Sequence, residues 1–221
     1  MNSPIILAVD TNEIDIAKRW VSQTSEYVGL FKLGLEFYLR FGAHGVREIQ
    51  SQTDKKIFLD LKLHDIPNTV NGAAKQVADL KPRFLTVHAS GGREMVKAAV
   101  TAAPDIEITA VTILTSLNQM ELTEIGFNGS TLERATELAK LAVSAGARAI
   151  VCSPLEISTL CTLYGSPHSS SMIEILRPLG VPQVCSSIVA NVSPFAGRRS
   201  RRDQRSSDPP PSKPELSSDV S

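Results

Sequence analysis

Apolar positions along the first 165 residues switch repeatedly between short β-rich runs and longer stretches with helical spacing. That alternation predicts successive βα units built around a parallel sheet. Ile5–Val9 reads as a strand, followed by a helix whose buried stripe is Ile14, Ala17 and Val21, with Trp20 beside it. Leu30–Leu33 and Leu35–Ile49 form the second pair. Ile57–Leu61 and a helix from Pro67 to about Leu80 form the third, with proline tolerated in the first helical turn. Phe84–His88 with Glu94–Ala103 is the fourth. Ile106–Leu114, predicted as the longest strand, pairs with a helix over Thr131–Ala145 that Ser130 or Thr131 caps. Ala149–Cys152 and Pro154–Tyr164 complete a sixth unit.

A pitch of roughly 25 residues per unit fits an α/β fold of the (β/α)₈ TIM-barrel type, which takes about 250 residues. An open doubly wound sheet is the competing architecture, but no G-x-G-x-x-G follows the first strand. Barrel-like periodicity fades after Gly165 and no β-rich run is read beyond Pro182, so the barrel is expected to be incomplete or disordered after about residue 182. The predicted organisation is a barrel domain over 1–190 with degenerate last units, then a tail over 191–221. That tail holds five of the thirteen prolines, eight serines and the basic cluster Arg198, Arg199, Arg201, Arg202 and Arg205. It has too little apolar surface to offset its ordering entropy and is expected to be disordered.

Composition changes this picture in one respect. The chain has 23 Lys+Arg against 23 Asp+Glu, but six of the basic and four of the acidic residues lie in the tail, so the neutral total joins a slightly acidic body to a basic end. With no bulk positive field and no interleaved aromatics in the tail, neither nucleic acid nor an anionic membrane is an expected partner. No apolar run approaches the roughly 18 residues of a membrane helix, and a cytoplasmic chain is expected. Cys152, Cys161 and Cys185 are odd in number and unpaired in spacing, which argues against a disulfide framework or a structural zinc site.

Candidate chemistry gathers at predicted strand ends, where a parallel barrel carries its active site. The first strand ends in Asp10, the second contains Lys32 within F-K-L, and the third ends F-L-D-L-K-L-H-D. Asp60 and Lys62 are two apart, and a period of two places them on one face of the strand. Asp65 follows in the loop, His88 ends the fourth strand, and Thr115 and Ser116 follow the fifth. A single strand-end carboxylate is commonly a cap or turn former, and His88 suits either a supporting bond at the site or a structural one. Ionisable groups on four successive strands are harder to reconcile with structure alone, because each buried unpaired charge costs several kcal/mol. Lys32, Asp60, Lys62 and Asp65 alternate in sign and can neutralise one another as a preorganised electrostatic cluster.

The run F-L-D-L-K-L-H-D-I-P-N-T-V at Phe58–Val70 closely resembles the signature of the orotidine 5′-phosphate decarboxylase family in its bacterial form. I-L-A-V-D at Ile6–Asp10, F-K-L-G at Phe31–Gly34, V-H-A-S-G-G at Val87–Gly92, V-T-I-L-T-S at Val111–Ser116 and V-C-S-P-L-E at Val151–Glu156 agree with it in order. The resemblance implies conversion of orotidine 5′-phosphate to UMP in de novo pyrimidine synthesis, without metal or organic cofactor. It assigns catalysis to Lys62, Asp60, Asp65 and Lys32, with Lys62 as proton donor and Asp60 against the departing carboxylate. It assigns substrate binding to Asp10, Lys32, Asp60, Leu61, Lys62, Leu63, His64, Asp65, Ile66, Pro67, Asn68, Thr69, Thr115 and Arg177. Asp65 and Thr69 match residues contributed across a homodimer interface, which implies shared active sites. A sugar-phosphate decarboxylase of the same superfamily and a catalytically impaired barrel remnant are the alternatives.

One part departs from the family. Relatives carry T-P-G-I-R after strand seven and a Gly-Arg pair after strand eight that grips the 5′-phosphate. Here Ser171–Gly180 reads S-M-I-E-I-L-R-P-L-G; Arg177-Pro178-Leu179-Gly180 fits the end of that loop, but T-P-G is missing. Gly197-Arg198 reads as a chance match within the basic tail. A shifted reading frame is the expected origin of this C-terminal text.

Overall fold

The computed structural model describes Ser3, residues 5–153, 155–156 and 158–160, and the backbone of residues 173–174 and 188–190. All of these lie in one compact unit, Met1–Asn191. The strands are β1 (Ile5–Ala8), β2 (Leu30–Gly34), β3 (Lys56–Leu63), β4 (Phe84–His88), β5 (Glu107–Val111), β6 (Ala149–Val151), β7 (Ile173–Glu174) and β8 (Ile188–Ala190). The helices are α1 (Ile14–Thr24), α2 (Leu35–Gln50), α3 (Pro67–Ala78), α4 (Arg93–Ala102), α5 (Gln119–Glu124) and α6 (Thr131–Ser144), with a 3₁₀ turn at Ala89–Gly91.

β1 to β6 pair in sequence order, each parallel to the next, as in the wall of a β/α barrel. The helices bury one stripe each against this sheet. Ala17 and Val21 do so on α1, Val70, Ala74 and Val77 on α3, and Ala135, Ala139 and Ala142 on α6. Pro67 opens α3, where its missing N–H costs nothing. In α2, Gly42 takes φ 59° and kinks the helix, a conformation that a side chain would disfavour.

Strand alternation sorts side chains into two compartments. Phe31, Leu33, Leu59, Leu85 and Val87 belong to the large core shared with the helices, whereas Ile6, Leu30, Phe58, Phe84 and Ala149 meet in a smaller cluster inside the sheet's curve. Phe58 and Phe84 pack edge to face there with ring centroids 5.6 Å apart. Continuing each strand by two residues on that inner face leads to Ala8, Lys32, Asp60 and Thr86. The sequence thus places an apolar layer directly beneath its charged one.

Three details differ from the sequence expectation. β5 stops at Val111 because its neighbours run out, the register ending at His88↔Val111 on one side and Val111↔Val151 on the other. β3 is instead the longest strand among the described residues, at eight residues. The unpredicted α5 is a short helix with a capping box, in which Asn118 accepts from the Met120 and Glu121 N–H groups and Glu121 accepts from Asn118 N–H. Ser130 is the cap of α6, again with a capping box to Glu133.

At the sheet edges, β8 runs parallel to β1, with Ile5↔Ile188 and Leu7↔Ala190 in register. Ile188–Ala190 thus covers the β1 edge with a short strand, where no β-rich run was expected beyond Pro182. β7 pairs antiparallel to β6, where the eightfold pattern has a parallel strand. Of the predicted sixth helix, residues 158–160 are described and helical. The tail predicted to be disordered, Arg177, Gly197-Arg198, Cys161 and Cys185 lie outside the described residues; Cys152 is buried.

Candidate active site

The inner face of β2 and β3, with Asp10 just after β1, carries an alternating chain of charges. Lys32 Nζ donates to Asp10 Oδ1 at 3.2 Å and lies 3.6 Å from Asp60 Oδ2. Lys62 Nζ donates to the same Asp60 Oδ2 at 2.7 Å. Asp60 therefore sits between two ammonium groups. Side-chain exposure is 13% for Lys32, 14% for Asp60, 37% for Lys62 and 48% for Asp10, so the centre of the chain is shielded while Lys62 and Asp10 face the open end. Burial of this kind strengthens each electrostatic contact relative to water.

Alternation puts Asp60 and Lys62 on one face, but the strand between them is not regular. The β3–β4 register slips between Leu59 and Leu63, and Lys62 adopts φ 49°. This irregularity is a bulge that re-aims a side chain, and a left-handed lysine is strained. A buried hydroxyl holds it in place. The Lys62 N–H donates to Thr86 Oγ1 at 2.8 Å, and Thr86 Oγ1 donates to Asp60 Oδ1 at 3.0 Å. Thr86 is fully buried on β4, and the sequence reading missed it, since threonine is an ordinary strand former.

Gly34 is the other unassigned contributor. A Cβ on it would lie 3.0 Å from Asp10 Oδ1 and 3.4 Å from Lys32 Nζ. The glycine of F-K-L-G leaves the room in which this pair meets.

The remaining predicted residues divide by position. Leu61 is buried in the outer core, and Leu63 packs against it. His64, Asp65 and Ile66 on the β3–α3 connection and Pro67, Asn68 and Thr69 in the first turn of α3 are all exposed. Asp65 Oδ1 accepts from the Ile66 N–H at 2.6 Å, and no hydrogen bond or ion pair among the described residues joins Asp65 to the cluster. The rings of His64 and His88 lie 5.3 Å apart. Burial pushes the half-buried His88 imidazole below the usual histidine value, aided by His64 and Lys62 and opposed by Asp60. Thr115 lies in an exposed turn after β5, with no hydrogen bond to the cluster among the described residues.

An inward-facing lysine–aspartate array at the carboxyl ends of parallel barrel strands defines a class of α/β-barrel enzyme site. The sequence profile of the orotidine 5′-phosphate decarboxylase / HUMPS family matches residues 3–181, and the chain belongs to that family. It is 46% identical over 183 residues to the orotidine 5′-phosphate decarboxylase of Thermobifida fusca, covering 83% of this chain and 78% of the relative. It is 46% identical over 160 residues to that of Sphingopyxis alaskensis, covering 72% and 71%. The crystal structure of orotidine 5′-phosphate decarboxylase from Lactobacillus acidophilus superimposes with a TM-score of 0.68 at 33% identity, covering 76% of this chain and 79% of that one.

Proposed function

We propose that this chain is a carboxy-lyase that converts orotidine 5′-phosphate to UMP and CO₂ in pyrimidine biosynthesis, with Lys62 as the proton donor. The observation that carries this reading is the Asp10–Lys32–Asp60–Lys62 chain of contacts over an apolar floor, on a family member. The bond between C6 and the carboxylate breaks, its electron pair stays on C6, and an N–H of the Lys62 ammonium protonates that carbon. Lys62 is then reprotonated from solvent. No metal or organic cofactor enters the step.

A network is needed on grounds of magnitude. One pair of unit charges 4 Å apart contributes about 4 kcal/mol at an effective dielectric of 20, against the roughly 8–23 kcal/mol by which enzymes lower barriers. Asp60 fixes Lys62 before substrate arrives, and Lys32 offsets the charge of Asp60. The ammonium of Lys62 is thereby aimed in advance at the carbon where charge develops. Lys32 and Asp10 bind the ribose hydroxyls.

Asp65 and Thr69 complete the site of a second copy in a cytoplasmic homodimer. Their exposure beside Ile66, itself 65% exposed, supports that assignment. Co-refolding Lys62→Ala with Asp65→Ala protein tests it: in a shared-site dimer the mixture recovers about a quarter of wild-type activity, because half of the dimers are mixed and each holds one intact site. No recovery in mixed dimers places each site within one chain. The test of the reaction itself is loss of orotidylate absorbance with release of CO₂.

A further inference from the structure

We infer that Thr86 is the positioning residue of the lysine–aspartate pair, its single hydroxyl fixing both the bulged backbone of Lys62 and the orientation of the Asp60 carboxylate. The inference rests on the proposed decarboxylase reading for its kinetic consequence, but its geometry stands independently.

A threonine hydroxyl has one proton to give and two lone pairs to receive with. Here Oγ1 accepts the Lys62 N–H at 2.8 Å, so its own proton is directed to Asp60 Oδ1 at 3.0 Å. With Oδ1 occupied, Oδ2 faces the ammonium groups of Lys62, at 2.7 Å, and Lys32, at 3.6 Å. The same hydroxyl takes the N–H of a residue at φ 49°, where the β3–β4 register is broken. Strain of this sort persists only where neighbours over-determine the conformation. Thr86 supplies that restraint from the adjacent strand, where it is fully buried and in register with Thr109. Without the hydroxyl, the Lys62 N–H loses its partner and the carboxylate is free to rotate. Both ends of the pair then lose their fixed geometry, although Thr86 itself touches neither reacting atom.

The test compares Thr86→Val and Thr86→Ala, which remove the hydroxyl, with Thr86→Ser, which keeps it. In steady-state assays with orotidine 5′-phosphate, the Val and Ala variants are expected to lose about 10²-fold in kcat with KM changed less than about threefold, because misplacement of a reacting group acts on the chemical step. Thr86→Ser is expected to stay within about fivefold of wild type in kcat, because the shared hydroxyl keeps both bonds. Hydrogen exchange at the Lys62 amide, followed by NMR, gives a readout that needs no activity. That amide is expected to exchange about tenfold faster in the Val and Ala variants than in wild type or Ser, while amides of α3 and α4 keep their protection.

Wild-type kcat in a folded Val or Ala variant, or an unchanged Lys62 amide, overturns the proposal. So does failure of the Ser variant to restore activity, or failure of both Val and Ala variants to fold, which would make the role purely structural. A wild-type chain that does not decarboxylate sinks the proposed function instead, and the exchange measurement then decides the placement of Thr86 alone.

Discussion

Asp60 and Lys62 are joined by a 2.7 Å bond between side chains only two residues apart, and β3 breaks its regular pairing where that bond is made. The strand gives up regular geometry at Lys62 to gain a fixed charge pair. Removing the anion should therefore cost both function and stability. Asp60→Ala leaves Lys32 and Lys62 facing each other, and should destabilise the fold by about 1–3 kcal/mol, below the buried-pair range because Lys62 is partly exposed. Asp60→Asn should lower kcat by about 10²–10³, the range seen when one preorganised electrostatic contact is lost. Chemical denaturation and steady-state kinetics measure the two effects separately.

Gly34→Ala should impair activity more than folding. The added methyl would sit 3.0 Å from Asp10 Oδ1 and 3.4 Å from Lys32 Nζ, so these side chains must shift apart. Backbone conformation is no obstacle, since Gly34 has φ −83°. The expected result is at least about a tenfold fall in kcat/KM, because the groups proposed to bind ribose move while the core is untouched. An unfolding midpoint within a few degrees of wild type should accompany it.

His88 gives the fold a pH-dependent component. Its folded pKa lies below the unfolded value, so the unfolded chain binds more protons in the interval beneath about pH 6.5. Stability from this group is fully present above the unfolded pKa and declines as pH falls through 6.5 towards the folded pKa. His88→Gln should flatten that part of the stability profile. Denaturation midpoints of both proteins across pH 5 to 8, compared as a difference, isolate the contribution.

Ser130→Ala serves as a contrast away from the site. Loss of the hydroxyl that accepts from Glu133 N–H should cost about 1 kcal/mol of stability. Turnover should be unchanged, because α6 contributes no group to the charge chain.

Much of this arrangement was legible in the chain. Asp10, Lys32, Asp60 and Lys62 stand out because charge interrupts runs that a two-sided parallel strand would otherwise fill with apolar residues. Their joining by a bulge was not legible, since alternation alone already puts Asp60 and Lys62 on one face and gives no reason to expect Lys62 at φ 49°. Thr86 was hidden within F-L-T-V-H because its strand propensity masks its hydrogen bonds. α5 escaped notice because only Leu122 is buried in it, too little for a periodic signal, although N-Q-M-E at Asn118–Glu121 spells a capping box of the asparagine type. The β8 strand is three residues long, below the length at which apolar periodicity can be read.

The central claim is that Lys62, held by Asp60, protonates the carbon from which CO₂ departs. The most direct measurement follows orotidylate absorbance and CO₂ release with the wild-type chain and with Lys62→Ala. Wild type should turn over, and the variant should lose at least about 10³-fold in kcat, as expected when a proton donor and its charge are removed together. Equal rates in the two proteins, or no turnover by the wild-type chain above buffer, would contradict the account.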